Sequence, residues 1–153
     1  MSKRFAGTYR HKVEARGRVS LPAPFRKVFT EVASTEVVII PRAENDDAHL
    51  CFTLPGFEAF CARIEDQIPD PAQQRAALRQ LNASAAILDL DDLGRFVMPK
   101  PLREMIGVEG DCTFIGTGFA FEIARPVAED ASDDEGLALT RSIFGSVTMS
   151  GLH

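Results

Sequence analysis

The sequence predicts an α+β protein, mainly β, made of two similar halves in one chain, and three observations carry that prediction. The stretch "EARGRVSLPAPFRKVF" at residues 14–29 returns as "DDLGRFVMPKPLREMI" at residues 91–106, at a constant offset of 77. Segments rich in β-branched and aromatic residues follow each copy: "EVVIIPR" and "HLCFTLP" after the first, "CTFIGTG" and "FAFEIARP" after the second. Such composition favours strands. Between the halves lie two stretches whose apolar residues recur at helical spacing.

Each copy of the repeat has a physical reading. Glu14 and Asp91 each stand two residues short of a Gly-Arg pair, Gly17-Arg18 and Gly94-Arg95. A carboxylate there can accept backbone N–H groups in a turn, and glycine supplies a positive φ. Val19 and Leu21 then alternate with Arg18 and Ser20, as in a half-buried strand. "PAPF" and "PKPL" place Pro at the start of a short helix, where its missing N–H costs nothing. Phe25, Val28 and Phe29, matched by Leu102, Met105 and Ile106, form the buried stripe of that helix. Gly107 suits the end of the second one.

In "GFEAFCARIEDQI" the stripe is Phe57, Phe60, Cys61 and Ile64; in "PAQQRAALRQLNA" it is Ala77, Leu78 and Leu81, with Pro69 and Pro71 separating the two helices. The expected division is a first repeat at 5–55, a helical pair at 56–82, a second repeat at 83–126, and an acidic tail at 127–153 expected to be disordered. Halves this small bury little surface alone, so they are expected to interleave as one pseudo-symmetric unit.

Composition narrows the function. The chain is 45% hydrophobic, yet no apolar run approaches the ~20 residues of a membrane helix, so no membrane partner is expected. No apolar stretch follows the basic "MSKRFAGTYRHK", and a secretory signal is not expected. Cys51, Cys61 and Cys112 are odd in number and lack C-x-x-C spacing. They read as small buried hydrophobes in a reducing cytoplasm. His11, His49 and His153 belong to no recognisable nucleophile arrangement, so no catalytic residues, enzyme activity or small-molecule substrate are expected. Asp89, Asp91 and Asp92 lack the spacing of a calcium loop and read as solvated turn acids. "GTGF" at 116–119 sits between strands and reads as a hairpin turn, because a phosphate cradle needs a following helix. No cofactor and no metal are expected.

Charge is more telling than its total of -5. Residues 1–27 hold Lys3, Arg4, Arg10, Lys12, Arg16, Arg18, Arg26 and Lys27 against Glu14 alone, a net +7 that leaves -12 for the remainder. This asymmetry suggests a polyanion-binding end on an acidic body. The first Gly-Arg lies among cations and the second among Asp89, Asp91 and Asp92, so phosphate favours the first. Arg18 has two readings, a partner for Glu14 or an acid of the other half, or a base reader, and the basic setting favours the second. For Arg95 an ion pair with Asp91 is expected. Arg26 and Arg103 occupy equivalent positions in both copies, which suggests a role in the fold.

The paired motif, E-x-x-G-R and D-x-x-G-R, each followed by strand, Pro and short helix, resembles the MraZ family among the AbrB-like DNA-binding proteins. The resemblance spans roughly residues 5 to 126 and implies a tandem, pseudo-symmetric swapped-hairpin β-barrel. It also implies a ring-shaped homo-oligomer, nucleoid-associated in the cytoplasm, that binds double-stranded DNA. The implied role is transcriptional regulation of the division and cell-wall gene cluster through short direct repeats in the promoter. Arg18 is the first-choice base reader and matches the family's Gly-Arg arginine; the basic charge around it makes Arg16, Lys12 and Arg10 the expected phosphate or base contacts and Lys3 and Arg4 a flexible basic arm. Glu14, Gly17, Asp91, Gly94 and Arg95 would build the turns. Glu14 and Arg16 stand where the family usually has Asp and Lys; Glu forms short-range turns less well, so the first hairpin tip is expected to differ. The rival reading is a homo-oligomeric protein-interaction module of antitoxin type, whose partner would engage the apolar residues at 137–149.

Overall fold

The computed structural model describes residues 4–126 and 136–143. The first half runs β1 (Thr8–Lys12), a tight turn (Ala15–Gly17), β2 (Arg18–Ser20), α1 (Ala23–Glu31), β3 (Glu36–Asn45) and β4 (Ala48–Thr53). Two helices follow, α2 (Leu54–Gln67) and α3 (Pro71–Ser84). The second half repeats the order with β5 (Ala86–Asp89), β6 (Arg95–Val97), α4 (Lys100–Met105), β7 (Asp111–Gly116) and β8 (Phe121–Ala124).

Six strands form an antiparallel sheet in the order β1-β7-β8-β4-β3-β5, while β2 and β6 pair with each other as a separate ribbon. The expected closed barrel is therefore not formed. Each Gly-Arg turn redirects the chain off the sheet, and the three-residue strands that follow bond to one another. Their corners are tied by Leu21 N–H to the Gly94 carbonyl at 2.8 Å and Met98 N–H to the Gly17 carbonyl at 2.9 Å. The six-stranded sheet keeps two edges, β1 and β5.

The halves exchange strands. β1 lies against β7, with Thr8 opposite Ile115, and β5 lies against β3, with Asp89 opposite Glu36. At the centre β4 meets β8, with Cys51 opposite Phe121 and His49 opposite Ile123. Neither half completes its sheet without the other.

The ribbon, α1 and α4 cover one face of the sheet over the main core. Phe25, fully buried, anchors it with ring centroids 5.1 Å from both Phe5 and Phe121. A side chain of this size contributes about 1.5–3 kcal/mol by burial. α2 covers part of the opposite face through Phe57 and Phe60, which pack on Phe52. Thr53 caps α2 by accepting from Gly56 N–H at 3.0 Å, and Asp70 caps α3 through Gln73 N–H at 3.0 Å. All six residues of β4 are buried, because both faces of this central strand are covered.

His49 is a buried polar group in that strand. Its Nδ1 accepts the Arg42 backbone N–H at 3.1 Å, so Nε2 carries the proton and donates to the Leu102 carbonyl at 2.7 Å. Burial, with Arg42 adding a smaller push, holds its pKa below the usual histidine value despite the Leu102 contact.

Residues 136–143 are helical, where the sequence suggested disorder. Leu137, Ala138, Leu139 and Arg141 are good helix formers, and the Thr140 hydroxyl donates to the Gly136 carbonyl at 2.9 Å. The rest of the expected disordered tail, 127–135 and 144–153, lies outside the described residues.

Candidate nucleic-acid interface

The β2–β6 ribbon pairs Arg18 with Val97, Val19 with Phe96 and Ser20 with Arg95. Val19 and Phe96 are buried in the core. Strand alternation then sends Arg18, Ser20, Arg95 and Val97 together to the outer face. The sequence reading separated a basic turn from an acidic one; the structure places both on one surface. Arg95 helps to lower the pKa of Glu14, and Asp91 helps to raise that of Arg18, so each turn lies within the other's field.

The turns share a frame. Glu14 N–H donates to the Arg18 carbonyl at 2.8 Å and Gly17 N–H to the Glu14 carbonyl at 3.0 Å; Asp91 with Arg95, and Gly94 with Asp91, repeat these bonds at the same lengths. Their side chains differ. Asp91 Oδ1 accepts from Leu93 and Arg95 N–H, each at 2.9 Å, while Oδ2 accepts from Arg95 Nε at 2.8 Å. Hydrogen bonds from the Arg95 backbone, then its side chain and Leu93, hold the Asp91 carboxyl below its usual pKa. Glu14 instead meets the Arg18 guanidinium at 2.8 Å and makes no side-chain bond to the backbone of its turn. That hydrogen bond and the Arg18 charge lower the Glu14 pKa and raise that of Arg18. Lacking the bracing, the first turn has Arg16 in the left-handed region at φ 67° beside Gly17 at 88°, whereas in the second only Gly94, at 77°, is left-handed. The two tips of the chain thus differ in how they are held.

Each helix arginine lies against the glycine of the opposite half's turn. Arg26 Nη1 donates to the Leu93 carbonyl at 2.8 Å, and Arg103 Nε donates to the Met98 carbonyl at 2.9 Å while lying against Gly17. A side chain at Gly17 would also strike the Met98 carbonyl oxygen, and one at Gly94 would strike the aliphatic stem of Arg26. This is the fold role that the shared positions of Arg26 and Arg103 suggested.

Of the other predicted cations, only Arg16 stands near Arg18 among the described residues. In β1, Tyr9 packs toward the core beneath the ribbon, and Arg10 and Lys12 alternate to the opposite face of the sheet. Arg10 is tied to Asp111 at 2.9 Å. Arg4 lies beside Gly118 in the β7–β8 turn, at the end of β1 remote from the Gly-Arg turn. Lys3 lies outside the described residues. Arg16 is exposed at the first tip, next to Arg18.

Cys51 and Cys112 are buried and Cys61 partly so. Burial raises all three thiols, that of Cys112 to about 12, which disfavours the reactive thiolate. Among the described residues no group of three or more His, Cys, Asp or Glu could hold a metal, and no helix is long and apolar enough to cross a membrane.

Sequence reasoning missed Ser20 and Val97. Alternation alone sets Ser20 on the face of Arg18 and Val97 on that of Arg95; the pairing of strands 77 residues apart brings Val97 opposite Arg18 and Ser20 opposite Arg95, and the constant offset was the available signal.

The chain matches no protein-family model. It is 31% identical over 141 residues to the transcriptional regulator MraZ of Ruegeria pomeroyi, covering 87% of this chain and 84% of that protein. It is 32% identical to the transcriptional regulators MraZ of Rhodospirillum rubrum and Cereibacter sphaeroides, covering 85% and 88% of this chain and 84% and 89% of those proteins. A solution structure from Pyrococcus horikoshii aligns with 81% of this chain and 98% of its own at a TM-score of 0.33 and 13% identity, too distant to bear on the fold. With likeness of this extent to named regulators, and both Gly-Arg turns in place, the chain belongs to the MraZ family of DNA-binding transcriptional regulators.

Proposed function

We propose that the outer face of the β2–β6 ribbon reads short direct repeats in the promoter of the division and cell-wall gene cluster, the chain regulating its own transcription among others. The observation that carries this reading is Arg18: it stands on the outer face of a two-stranded ribbon, 45% exposed, held by a single surface carboxylate. A ribbon fits the major groove, where an arginine can take guanine O6 and N7 together. An exposed ion pair is weak, so exchanging Glu14 for a base costs little. Arg16 at the tip contacts phosphate. Arg10 and Lys12, on the far face of the sheet, add to the attracting field more than to the contact.

One ribbon offers few base contacts. Linked copies engaging repeated elements raise effective affinity steeply, which favours a ring-shaped homo-oligomer working on nucleoid DNA in the cytoplasm. The rival reading, a protein-interaction module, draws on the exposed Leu137, Leu139 and Ile143 of the helical segment at 136–143.

The test is binding to the DNA upstream of the protein's own coding sequence, against a shuffled duplex. Arg18→Ala is expected to weaken the specific complex about 5- to 150-fold, with thermal unfolding unchanged. Arg95→Ala, which removes the guanidinium bracing Asp91, is expected to lower stability and weaken binding less. Equal binding losses from two folded variants would refute the leading role of Arg18.

A further inference from the structure

The reading face is twofold in its arginines and one-sided in everything else. Pairing of Arg18 with Val97 and of Ser20 with Arg95 makes Arg95 the counterpart of Arg18, and Val97 the counterpart of Ser20. Were all four positions matched, the ribbon would present the same surface after a half-turn. Its strands would then meet base edges alike in either direction, leaving only the tips, Arg16 against Leu93, to tell the two apart. Ser20 and Val97 break that equivalence with opposite chemistries. Val97 is a large apolar side chain 49% exposed on a surface that carries the Arg18–Glu14 and Arg95–Asp91 ion pairs. It fills no core, since its neighbour Phe96 does that work at 2% exposure. Ser20 has no ring or aliphatic bulk and presents a hydroxyl beside Arg95.

Resting on the reading of this ribbon as the DNA-contacting face, we infer that Val97 and Ser20 set the direction in which each protomer lies on DNA. Val97 takes the methyl group of a thymine next to the base read by Arg18, and Ser20 hydrogen-bonds a base edge at the Arg95 end. The major groove offers both features: thymine is the one base presenting a methyl there, and hydroxyl groups can donate to or accept from any base edge. An apolar side chain on a wet, charged surface gains most by covering another apolar group. A directional face also suits direct repeats, in which successive elements point the same way; inverted repeats would suit a symmetric one.

The experiment uses the full chain, Val97→Ser, Ser20→Val and the double exchange, each allowed to select duplexes from a randomised pool. Binding of the wild-type chain to its selected duplex is then measured with each thymine replaced in turn by deoxyuridine, which removes only the methyl group. One position is expected to cost the wild-type chain about three- to fivefold in affinity, as burial of one methyl group implies. Val97→Ser is expected to be indifferent to that replacement, and Val97→Thr, which keeps a methyl group, to retain part of the sensitivity. The double exchange is expected to move the sensitive position to the other side of the element, and Ser20→Val alone to yield a methyl preference on both sides. All four side chains face outward, so circular dichroism spectra are expected to match the wild-type chain. A selected duplex with no methyl-sensitive position, or a sensitivity that survives in Val97→Ser, overturns the directional role alone. A pool from which the wild-type chain enriches nothing overturns the DNA-reading function and this inference with it.

Discussion

The turn at 14–17 and the turn at 91–94 follow the same backbone frame and hold it by different means. Asp91 is short enough to brace its own turn with two N–H groups and still hold Arg95. Glu14, one methylene longer, reaches past the backbone and pairs with Arg18, while Arg16 takes up a left-handed conformation. One turn is braced by a side chain and the other carries backbone strain. The accompanying arginines differ in the same sense: Arg18 is 45% exposed and Arg95 30%. A single methylene thus shifts one copy toward structure and leaves the other freer for a ligand.

The largest effects expected from pressing this comparison lie at the glycines. Gly17→Ala places a Cβ against the Met98 carbonyl, a backbone atom that cannot swing away, and is expected to cost about 3 kcal/mol in urea unfolding. Gly94→Ala meets only the Arg26 side chain, which can move, and is expected to cost about 1–2 kcal/mol. Equal losses would mean that the two corners are alike after all.

A second asymmetry lies deeper. The pairing of β4 with β8 makes Phe121 the counterpart of His49. His49 is neutral in the folded chain with its pKa lowered, so the unfolded chain binds the proton more readily. Its contribution is complete above about 6.5, the unfolded value, and is lost as pH falls through that value toward the lowered folded one. His49→Phe is expected to flatten this acid-side slope in unfolding measured across pH. It is also expected to cost about 1–3 kcal/mol at neutral pH by stranding the Arg42 N–H and the Leu102 carbonyl. A variant that keeps the wild-type slope would place the titrating group elsewhere.

The smallest effect is at the strained tip. Arg16→Gly is expected to raise stability by about 0.5 kcal/mol, the relief of a left-handed arginine less the added freedom of glycine when unfolded. The same change at the equivalent Leu93, which is not left-handed, is expected to cost about 0.5–1 kcal/mol. Calorimetry that shows the same sign at both sites would remove the distinction between strained and braced turns.

Much of this was legible in the sequence because local chemistry decides it. The offset of 77 exposed both turns, Phe25, Val28 and Phe29 marked the buried stripe of α1, and the Pro pairs marked helix starts. That the halves interleave was expected from their small size, but which strands meet was not legible, since β1 meets β7 across about a hundred residues and nothing near Thr8 names Ile115. β4 hid its faces, because burial on both sides removes alternation. The candidate site was readable in its arginines and unreadable in its surface. Arg10 and Lys12 were grouped with Arg18 by nearness in sequence, yet the alternation of β1 sends them to the other side of the sheet. The helix at 136–143 was masked by its acidic surroundings.

The helices α2 and α3, which join the halves, have a consequence for the information the chain can hold. In a symmetric dimer of a single repeat, one codon would write both members of every equivalent pair. A useful change at one would be forced upon the other. With the halves joined in one gene, Glu14 and Asp91, Ser20 and Val97, and His49 and Phe121 are written separately. Each partner can specialise while the exchanged strands keep the two copies together.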